Sequence, residues 1–341
     1  MKKLRCAVIG CGRIGCGFDD YSFGKSPKTH AGSYLKHPET ELVALCDVDI
    51  KKLKKYGKKF DVEGLYKKSS DMFRNENLDC VSICTLSDKH LELVKQASKF
   101  DIKGLFVEKP ISNSLQNAKK IIQICKQHKI TLALNHQRRF DPFYYSVKKL
   151  INKKIIGKSQ LVNAYYGAGI ANTGSHLFDL LRLFFGNVIS LQGNFSKNNS
   201  NNAADPNINC SLEFGNGTIC YIHALDLKNY GILELDIIGT KGRMRLDLSS
   251  NNLEYFKISS NKTLVYKNLV PSKINVNSST FSSIYLCVQN LVKAIKQKKD
   301  PLCTGEDGYK SLELVIASLL SAQKKKKMNL PLTSKYIINS K

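Results

Sequence analysis

The sequence predicts an α/β protein: an N-terminal domain with a doubly wound parallel sheet, followed by a C-terminal α+β domain with a large, mostly antiparallel sheet. The chain has 341 residues, which is enough for two domains at roughly 150 residues each. Up to residue 136, short apolar runs alternate with amphipathic segments of helical length, as in parallel sheets covered on both faces. Beyond that point, extended runs separated by turn residues predominate. We therefore predict domains over 1–136 and 137–341.

The elements predicted for the first domain alternate between strand and helix. The predicted strands are the continuous apolar runs at 4–9, 42–46, 80–85, 105–107 and 131–134. The predicted helices are the amphipathic segments at 49–60, 88–100 and 114–128. Because the connections are short, these strands are expected to be parallel with right-handed crossovers.

The second domain is predicted to combine hairpins with a few helices. Helices are predicted at 143–151, 175–185, 281–296 and 307–325. Strands are predicted at 161–166, 211–214, 218–224, 233–238 and 243–248. The turn pairs Asn216-Gly217 and Lys241-Gly242 indicate hairpins, and the Asn-rich segment 194–209 is predicted to be a mobile loop.

The charge balance raises the question of a nucleic-acid or anionic-membrane partner. Lys and Arg number 53 against 28 Asp and Glu, a net charge of +25. Only 8 of the basic residues are Arg, the side chain favoured for base and phosphate recognition, and no aromatic residues alternate with them. We expect no nucleic-acid partner, although binding through the lysine surface stays open as an alternative.

The N-terminus and the cysteines indicate a cytoplasmic protein. Residues 4–9 lead straight into glycines and form a strand instead of a signal peptide, and no apolar stretch is long enough to span a bilayer, so we expect no membrane partner. The eleven cysteines are an odd number without a Cys-x-x-Cys pair, which predicts buried thiols and no metal site.

A glycine-rich loop follows the first strand directly. Gly10, Gly12 and Gly15 form a Gly-x-Gly-x-x-Gly pattern that also contains Arg13 and Ile14. The first glycine permits a tight turn, the second lets a pyrophosphate approach the backbone, and the third lets a helix pack on the strand. Strand and helix units follow the loop, and this context predicts a dinucleotide site of the Rossmann type.

Asp47, at the end of the second strand, is the predicted partner of the cofactor's ribose. A carboxylate there accepts hydrogen bonds from ribose hydroxyls and repels the extra phosphate of NADP, so NAD is favoured and NADP is less expected. The separation from Gly15 is 47 − 15 = 32 residues where about 20 is usual. We assign the surplus to an insertion over residues 16–29. The alternative is an ordinary carboxylate at a strand end.

Several ordered motifs together resemble the glucose-fructose oxidoreductase, inositol dehydrogenase and rhizopine-catabolism (Gfo/Idh/MocA) family. They are the glycine loop, the run 81–85 followed by His90, the triplet Glu108-Lys109-Pro110, the stretch 174–179, the stretch 138–142 and the late 305–307. The match spans nearly the whole chain. The resemblance implies a nicotinamide-dependent oxidoreductase acting on a sugar, a sugar derivative or a cyclic polyol.

The resemblance also implies roles for individual residues. Lys109 would be the active-site lysine bonded to the reacting oxygen, and His176 its acid-base or proton-relay partner. Thr85, His90 and Glu108 would lie along the cofactor. Tyr285 stands where some members place a substrate-contacting tyrosine.

Chemical arguments support Lys109, with a solvated surface lysine as the alternative. A residue at the carboxyl end of a parallel strand lies at the ligand crevice, and Pro110 keeps its backbone extended. Beside an oxidised nicotinamide, the pKa of Lys109 is expected to fall toward the range useful for proton transfer.

His176 has two interpretations, a proton relay or a buried histidine capped by Asp179 at i+3. The family commonly has Asp four residues before this histidine, where Asn172 stands here. An amide orients hydroxyls but neither acts as a base nor stabilises an imidazolium as a carboxylate does.

The leading interpretation is therefore an NAD-dependent oxidoreductase acting on a secondary hydroxyl of a sugar, with a nucleotide sugar of surface polysaccharide biosynthesis as the expected substrate. The alternatives are an inositol or polyol dehydrogenase and a catalytically silent regulator that binds NADH. A homo-oligomer, dimer or tetramer, is expected because an antiparallel sheet leaves one face for a partner.

Overall fold

A computed structural model of the protein describes residues 2–21, 26–260 and 266–338. The chain divides into two compact units. The first contains Met1–Asp141, Ser279–Lys310 and Lys335–Lys341, and the second contains Pro142–Ser278 and Ser311–Ser334. Residues 22–25 of the predicted insertion lie outside the described residues.

The first unit contains a parallel sheet of six strands. In chain order the strands are β1 (Leu4–Ile9), β2 (Thr40–Cys46), β3 (Gly64–Tyr66), β4 (Cys80–Ile83), β5 (Gly104–Val107) and β6 (Thr131–Leu134). The spatial order is β3-β2-β1-β4-β5-β6, which is the doubly wound arrangement of dinucleotide-binding domains. The predicted parallel sheet is confirmed, and β3, only three residues long, is an addition to it.

Five helices of this unit lie between residues 30 and 127, and three of them begin at capping side chains. The five are α1 (His30–Lys36), α2 (Ile50–Phe60), α3 (Ser69–Asn75), α4 (His90–Ala97) and α5 (Leu115–Gln127), of which α1, α2 and α5 are the capped ones. Asp49 accepts from the backbone amides of Lys51 and Lys52, and Ser114 accepts from that of Asn117. Each side chain satisfies amides that have no partner within the helix, which places the helix boundary at the following residue.

A helix from late in the chain completes this unit, although the sequence places that segment in the second domain. This helix, α8, spans Ser283–Gln297. A Cβ on Gly104 at the start of β5 would lie 2.6 Å from Ile295 Cδ1, so the helix packs closely against the strand at this glycine. The apolar side of α8, which includes Leu291 and Val292, is buried.

The second unit is built on a nine-stranded, mostly antiparallel sheet. Its strands are β7 (Ser159–Tyr166), β8 (Val188–Phe195), β9 (Ile208–Phe214), β10 (Ile219–Ala224), β11 (Glu234–Gly239), β12 (Gly242–Asp247), β13 (Asn252–Ile258), β14 (Leu269–Ser272) and β15 (Met328–Asn329). The order is β14-β13-β12-β11-β7-β10-β9-β8-β15, with β7 and β10 parallel to each other. Both predicted hairpins are present, since β9 pairs with β10 and β11 with β12.

Helices cover one face of this sheet. They are α6 (Pro142–Asn152), α7 (Ser175–Phe185) and α9 (Gly305–Lys324), of which the last begins in the first unit. Phe185 of α7 packs on Phe214 of β9 with ring centroids 5.6 Å apart, and Ser321 of α9 accepts from the amide of Gly193 on β8. The alternating exposure of β10 shows that its second face is open.

The segment predicted as a mobile loop at 194–209 is more structured than expected. Its ends belong to β8 and β9, and Asp205 and Asn207 within it are buried. The Asn207 side-chain amide donates to the carbonyls of Asn198 and Leu225. Buried hydrogen bonds of this kind hold the connection in place.

All eleven cysteines are free, and all but Cys84 are buried. Burial raises the pKa of the Cys125 thiol to about 12. The predicted thiols are thus confirmed. Across the three described stretches, no helix is both long and apolar enough to cross a membrane.

Candidate cofactor and active site

The three glycines of the loop meet different surroundings. Gly10 has φ +98°, and a Cβ on it would lie 2.7 Å from the carbonyl oxygen of Cys84. A Cβ on Gly15 would lie 2.0 Å from the Gly10 carbonyl oxygen. Gly12 has nothing within 4 Å of the corresponding position. The first and third glycines are therefore required by the fold, whereas the second leaves open space beside the backbone, as a pyrophosphate requires.

The helix that follows the loop is interrupted after its first turn and then resumes. The amide of Cys16 donates to the Gly12 carbonyl at 3.0 Å, which begins a helical turn. The amide of His30 then donates to Ile14 at 3.1 Å and that of Ala31 to Gly15 at 3.0 Å. Each of these two bonds spans 16 residues of sequence, whereas a bond of a continuous α-helix spans four, so about twelve inserted residues separate the two parts of one helix. The 32 residues between Gly15 and Asp47 then reduce to about 20, the usual spacing.

Two aspartates hold the described ends of the insertion. Asp19 accepts from the amide of Lys28 at 2.6 Å and from the hydroxyl of Thr29, which caps α1. Asp20 accepts from the ammonium groups of Lys55 and Lys59, each at 2.7 Å. These two hydrogen bonds lower the pKa of Asp20 to about 2. The insertion thereby returns the chain to the point where the helix resumes.

A cavity of about 700 Å³ opens beside the loop and contains several predicted cofactor residues. Gly10, Gly12, Asp47 and Thr85 line it. Four lysines are also in its wall: Lys52, Lys67, Lys68 and Lys89. Open backbone beside Gly12, a carboxylate and basic side chains suit a dinucleotide, which carries a pyrophosphate and a ribose.

Backbone amides fix the Asp47 carboxylate in this cavity. One oxygen accepts from the amide of Cys11 at 2.7 Å and the other from that of Asp49 at 2.9 Å. The glycine loop itself therefore orients the carboxylate predicted to bind ribose. Arg13, also predicted for the cofactor, is exposed and places its guanidinium 4.8 Å from the ring centroid of Phe18.

Lys109 is the second residue after β5 and is half-buried. The residue before it, Glu108, is buried, and its carboxylate faces protein groups that the sequence did not indicate. Its Oε1 lies 2.8 Å from Nε2 of His30 and also accepts from the side-chain amide of Asn135. Its Oε2 accepts from the Lys109 amide at 3.3 Å. No sequence signal connects positions 30, 108 and 135, because only the fold brings them together.

His90, predicted to lie along the cofactor, is fully buried. Its Nδ1 lies 3.1 Å from the carbonyl oxygen of Ile111 and its Nε2 lies 3.1 Å from that of Thr85. Burial lowers the pKa of His90, although both carbonyls act in the opposite direction. His90 thus connects the backbone after β4 to the backbone just beyond Pro110.

In the second unit, Asn172 and His176 lie on consecutive helical turns. Asn172 is exposed within a π-helical turn, Ile170–Gly174, and His176 is the second residue of α7. His176 is half-buried, while Asp179 on the same helix is fully buried. Asp205, which the sequence interpretation overlooked, accepts from the amides of Ala171 and Asn172, each at 2.8 Å. A buried carboxylate therefore fixes the turn that carries Asn172.

Tyr285, predicted to contact substrate, is buried near the start of α8. Its ring stacks on Phe281 with centroids 4.8 Å apart and lies 5.9 Å from the ring of His37. In the first unit, the stretches 138–142 and 305–307 that were used for the resemblance also contact each other, because Arg139 forms an ion pair with Asp307 at 3.1 Å.

Comparisons with known proteins bear on both parts of the chain. The model described as "Oxidoreductase family, NAD-binding Rossmann fold" (GFO_IDH_MocA) matches residues 4–136, and the family's C-terminal alpha/beta domain matches residues 167–330. The D-apiose dehydrogenase of Paraburkholderia graminis is 24% identical over 95% of this chain and 88% of its own. The scyllo-inositol 2-dehydrogenase (NAD(+)) of Bacillus subtilis is 23% identical, covering 93% of both chains.

A solved structure shows the same fold over almost the whole length. The WlbA dehydrogenase from Bordetella pertussis, in complex with NADH and UDP-GlcNAcA, aligns with a TM-score of 0.79 at 20% identity. The alignment covers 97% of this chain and 100% of that one.

Proposed function

The chain belongs to the Gfo/Idh/MocA family of NAD-dependent oxidoreductases, and we propose that it transfers a hydride between NAD and a secondary hydroxyl or ketone of a sugar. The observation that carries the proposal is the position of Glu108-Lys109-Pro110 directly after β5. Gly10 follows β1 and Asp47 follows β2 in the same parallel sheet. Ligands of such sheets bind at the carboxyl ends of the strands, so a lysine at this edge is suited to reach a substrate beside the cofactor.

We assign the cofactor to the cavity beside the glycine loop. The backbone of Gly10 to Gly15, including Arg13 and Ile14, would hold the pyrophosphate, and Asp47 would bind the adenosine ribose. Thr85 would contact the cofactor further along. The basic residues of the cavity wall suit the negative charge of the pyrophosphate.

The reaction then needs one proton acceptor beside the hydride acceptor. When bound, NAD would supply the carbon that accepts the hydride, and Nζ of Lys109, as the neutral amine, would accept the hydroxyl proton as the alcohol becomes a ketone. His176 would relay that proton, and Asn172 would orient substrate hydroxyls, since an amide donates and accepts but does not act as a base. In the reverse direction Lys109 returns the proton to the ketone oxygen.

For the substrate we favour a nucleotide sugar used in surface polysaccharide biosynthesis. The net charge of +25 suits a substrate that carries phosphate, and one similar structure binds UDP-GlcNAcA. A cyclic polyol is the competing substrate, since one relative is an inositol dehydrogenase. The use of NAD and the free thiols support a cytoplasmic location.

A substrate panel with a matched pair of lysine variants tests this function. NADH formation is followed with UDP-sugars, free sugars and inositols, using the parent protein, Lys109→Met and the exposed Lys299→Met. Lys109→Met is expected to lose at least 100-fold in kcat, within the range typical of acid-base groups, while Lys299→Met keeps the parent rate. Full turnover by Lys109→Met would overturn the mechanism.

We also propose that a second copy of the chain covers the open face of the nine-stranded sheet. Ile219 and Tyr221 on β10, near the middle of the sheet, are 42% and 45% exposed. On the same face His223 stacks on Tyr165 of β7 with ring centroids 5.4 Å apart. Apolar and aromatic side chains at the centre of a sheet favour a self-complementary interface.

Light scattering tests this interface. The parent is expected to have at least twice the chain mass, and Tyr221→Glu is expected to shift it toward a monomer that keeps its fold by circular dichroism. A monomeric parent, or an unchanged assembly in the variant, would contradict the proposed interface.

A further inference from the structure

Five buried polar side chains form one connected cluster in the first unit. The hydroxyl of Ser82 lies 2.9 Å from Nδ1 of His30 and 2.9 Å from the hydroxyl of Tyr34. On its other side, His30 meets the Glu108 carboxylate, which also accepts from Asn135. The cluster thus draws on α1, β4 and the residues after β5 and β6, and it ends next to Lys109.

The cluster keeps Glu108 charged in a buried position. Burial by itself favours the neutral acid, but the hydrogen bond to His30 and the electrostatic interaction with it, the hydrogen bond from Asn135 and the charge of Lys109 lower the pKa of Glu108 overall. Buried carboxylates persist only when they are paired and hydrogen-bonded. His30, which is fully buried, provides that pairing through Nε2.

We propose that the His30–Glu108–Asn135 cluster positions Lys109, anchoring the peptide that carries it and maintaining a fixed negative charge beside its ammonium group. This inference rests on the proposed function of Lys109. The anchoring is visible in two contacts of Glu108, which accepts from the Lys109 amide through Oε2 and donates its own backbone amide to Ile83 at 3.0 Å. His30, Glu108 and Asn135 are positioning residues because their contacts are with protein groups.

His90 holds the other end of the same segment. Its contact with the Ile111 carbonyl lies two residues beyond Lys109, so buried histidines bracket the lysine on both sides. The start of α1 is also involved, because the His30 amide is bonded to Ile14 of the glycine loop. The cluster therefore connects the loop assigned to the pyrophosphate with the lysine assigned to the substrate.

The charge of Glu108 acts on Lys109 by reciprocity. Since Lys109 helps to lower the pKa of Glu108, the carboxylate favours the ammonium form of Lys109 by the same interaction. Other titratable groups that interact with Glu108 include His30, His90, Cys84 and Cys287. Burial raises the pKa of both thiols, so they stay neutral near pH 7 and add no negative charge to that of the carboxylate.

The decisive experiment measures the proton affinity of Lys109 without a substrate. Trace acetylation by acetic anhydride, quantified by mass spectrometry between pH 6 and 11, gives the titration of Lys109 in the whole protein with and without NAD. Glu108→Gln keeps the size of the side chain and an oxygen acceptor, but removes the charge. We expect the midpoint for Lys109 to fall by about one pH unit, the size of an ion-pair effect at a partly buried site.

A second buried glutamate serves as the matched control. Glu313 of α9 is 2% exposed and accepts from the Leu332 amide, so Glu313→Gln is the same change in the second unit. It should leave the Lys109 titration unchanged. Equal midpoints for Lys109 in the parent and Glu108→Gln, or equal shifts in both variants, would overturn the inference.

Turnover separates this inference from the proposed function. With a substrate in hand, Glu108→Gln should move the acid limb of the pH profile for alcohol oxidation toward lower pH, with little change in the Kd for NAD. It should also lower kcat on the alkaline plateau, because Lys109 becomes a weaker base. If Glu108→Gln does not fold, Asn135→Ala replaces it as the test, because this variant keeps the charge of Glu108 and removes the hydrogen bond that Asn135 donates to it. A kcat equal to that of the parent would then reject positioning. A shifted titration in a protein inactive on every sugar would reject the function and retain the cluster.

Discussion

Replacing Gly12 and Gly15 separately by alanine tests the cofactor loop, because the same methyl group meets different surroundings. At Gly15 the new carbon would lie 2.0 Å from the Gly10 carbonyl oxygen, a distance that forces the backbone to move. Overpacking of this kind costs about 1–3 kcal/mol, and a clash with backbone falls at the upper end. Gly12→Ala meets nothing within 4 Å, so its unfolding free energy should stay within about 1 kcal/mol of the parent.

The order of the two variants reverses for cofactor binding. The open space beside Gly12 is where we place the pyrophosphate, and a methyl group there should cost about one charge-assisted hydrogen bond, about 1.5–3 kcal/mol. That corresponds to a Kd for NAD raised roughly 10- to 150-fold, since each 1.4 kcal/mol is tenfold. Gly12→Ala should thus be as stable as the parent and bind NAD poorly.

Two measurements check the pair. Urea unfolding without cofactor compares the stability of the folds, and isothermal titration calorimetry compares the affinities for NAD. The reasoning would be refuted by Gly12→Ala binding NAD as tightly as the parent, or by Gly15→Ala unfolding at the parent's urea concentration.

Three further outcomes follow from the same structure. Asp47→Ser should raise the ratio of kcat/KM for NADP over NAD at least tenfold, because the carboxylate that repels the extra phosphate is gone; an unchanged ratio in steady-state assays would contradict it. Asp307→Asn removes the carboxylate paired with Arg139, which is 8% exposed, and should lower the unfolding free energy by about 3 kcal/mol in urea, more than a surface change would. Asp20→Asn should lower the free energy of unfolding by about 1 kcal/mol at pH 7. The pKa of Asp20 near 2 corresponds to at most about 2.4 kcal/mol, and solvent screening reduces this value at an exposed site. The difference in unfolding free energy between Asp20→Asn and the parent should disappear as the pH falls from about 4 to 2, because Asp20 stabilises the fold only while its carboxylate is ionised. A difference that does not depend on pH would contradict the assignment.

Local patterns in the sequence were sufficient for most of the first unit. The glycine loop, the capping residues Asp49 and Ser114 and the apolar runs each depend on neighbours in the chain, so the five longer strands and the helices α2, α4 and α5 were predicted close to their observed bounds. The short helices α1 and α3 were not predicted. Strand β3 was missed because three half-buried residues carry almost no periodicity.

Contacts between distant residues were beyond such patterns. The pairing of His30 with Glu108 joins residues 78 positions apart, and nothing near either residue distinguishes it. The same holds for Asp205, whose place in an Asn-rich segment indicated only a loop. His90 was recognised by its place in a motif, yet its contacts with two carbonyls depend on how β4 and β5 lie side by side.

The interrupted helix after the glycine loop changes how this fingerprint should be searched for. Motifs of this kind are written as distances along the chain, but the protein measures the distance from loop to ribose carboxylate along a helix and a strand. His30 occupies the helical position that an uninterrupted chain would give to a residue twelve places earlier. An alignment gap placed after Gly15 therefore restores the usual spacing, and a search with a fixed interval would pass over chains that carry such an insertion.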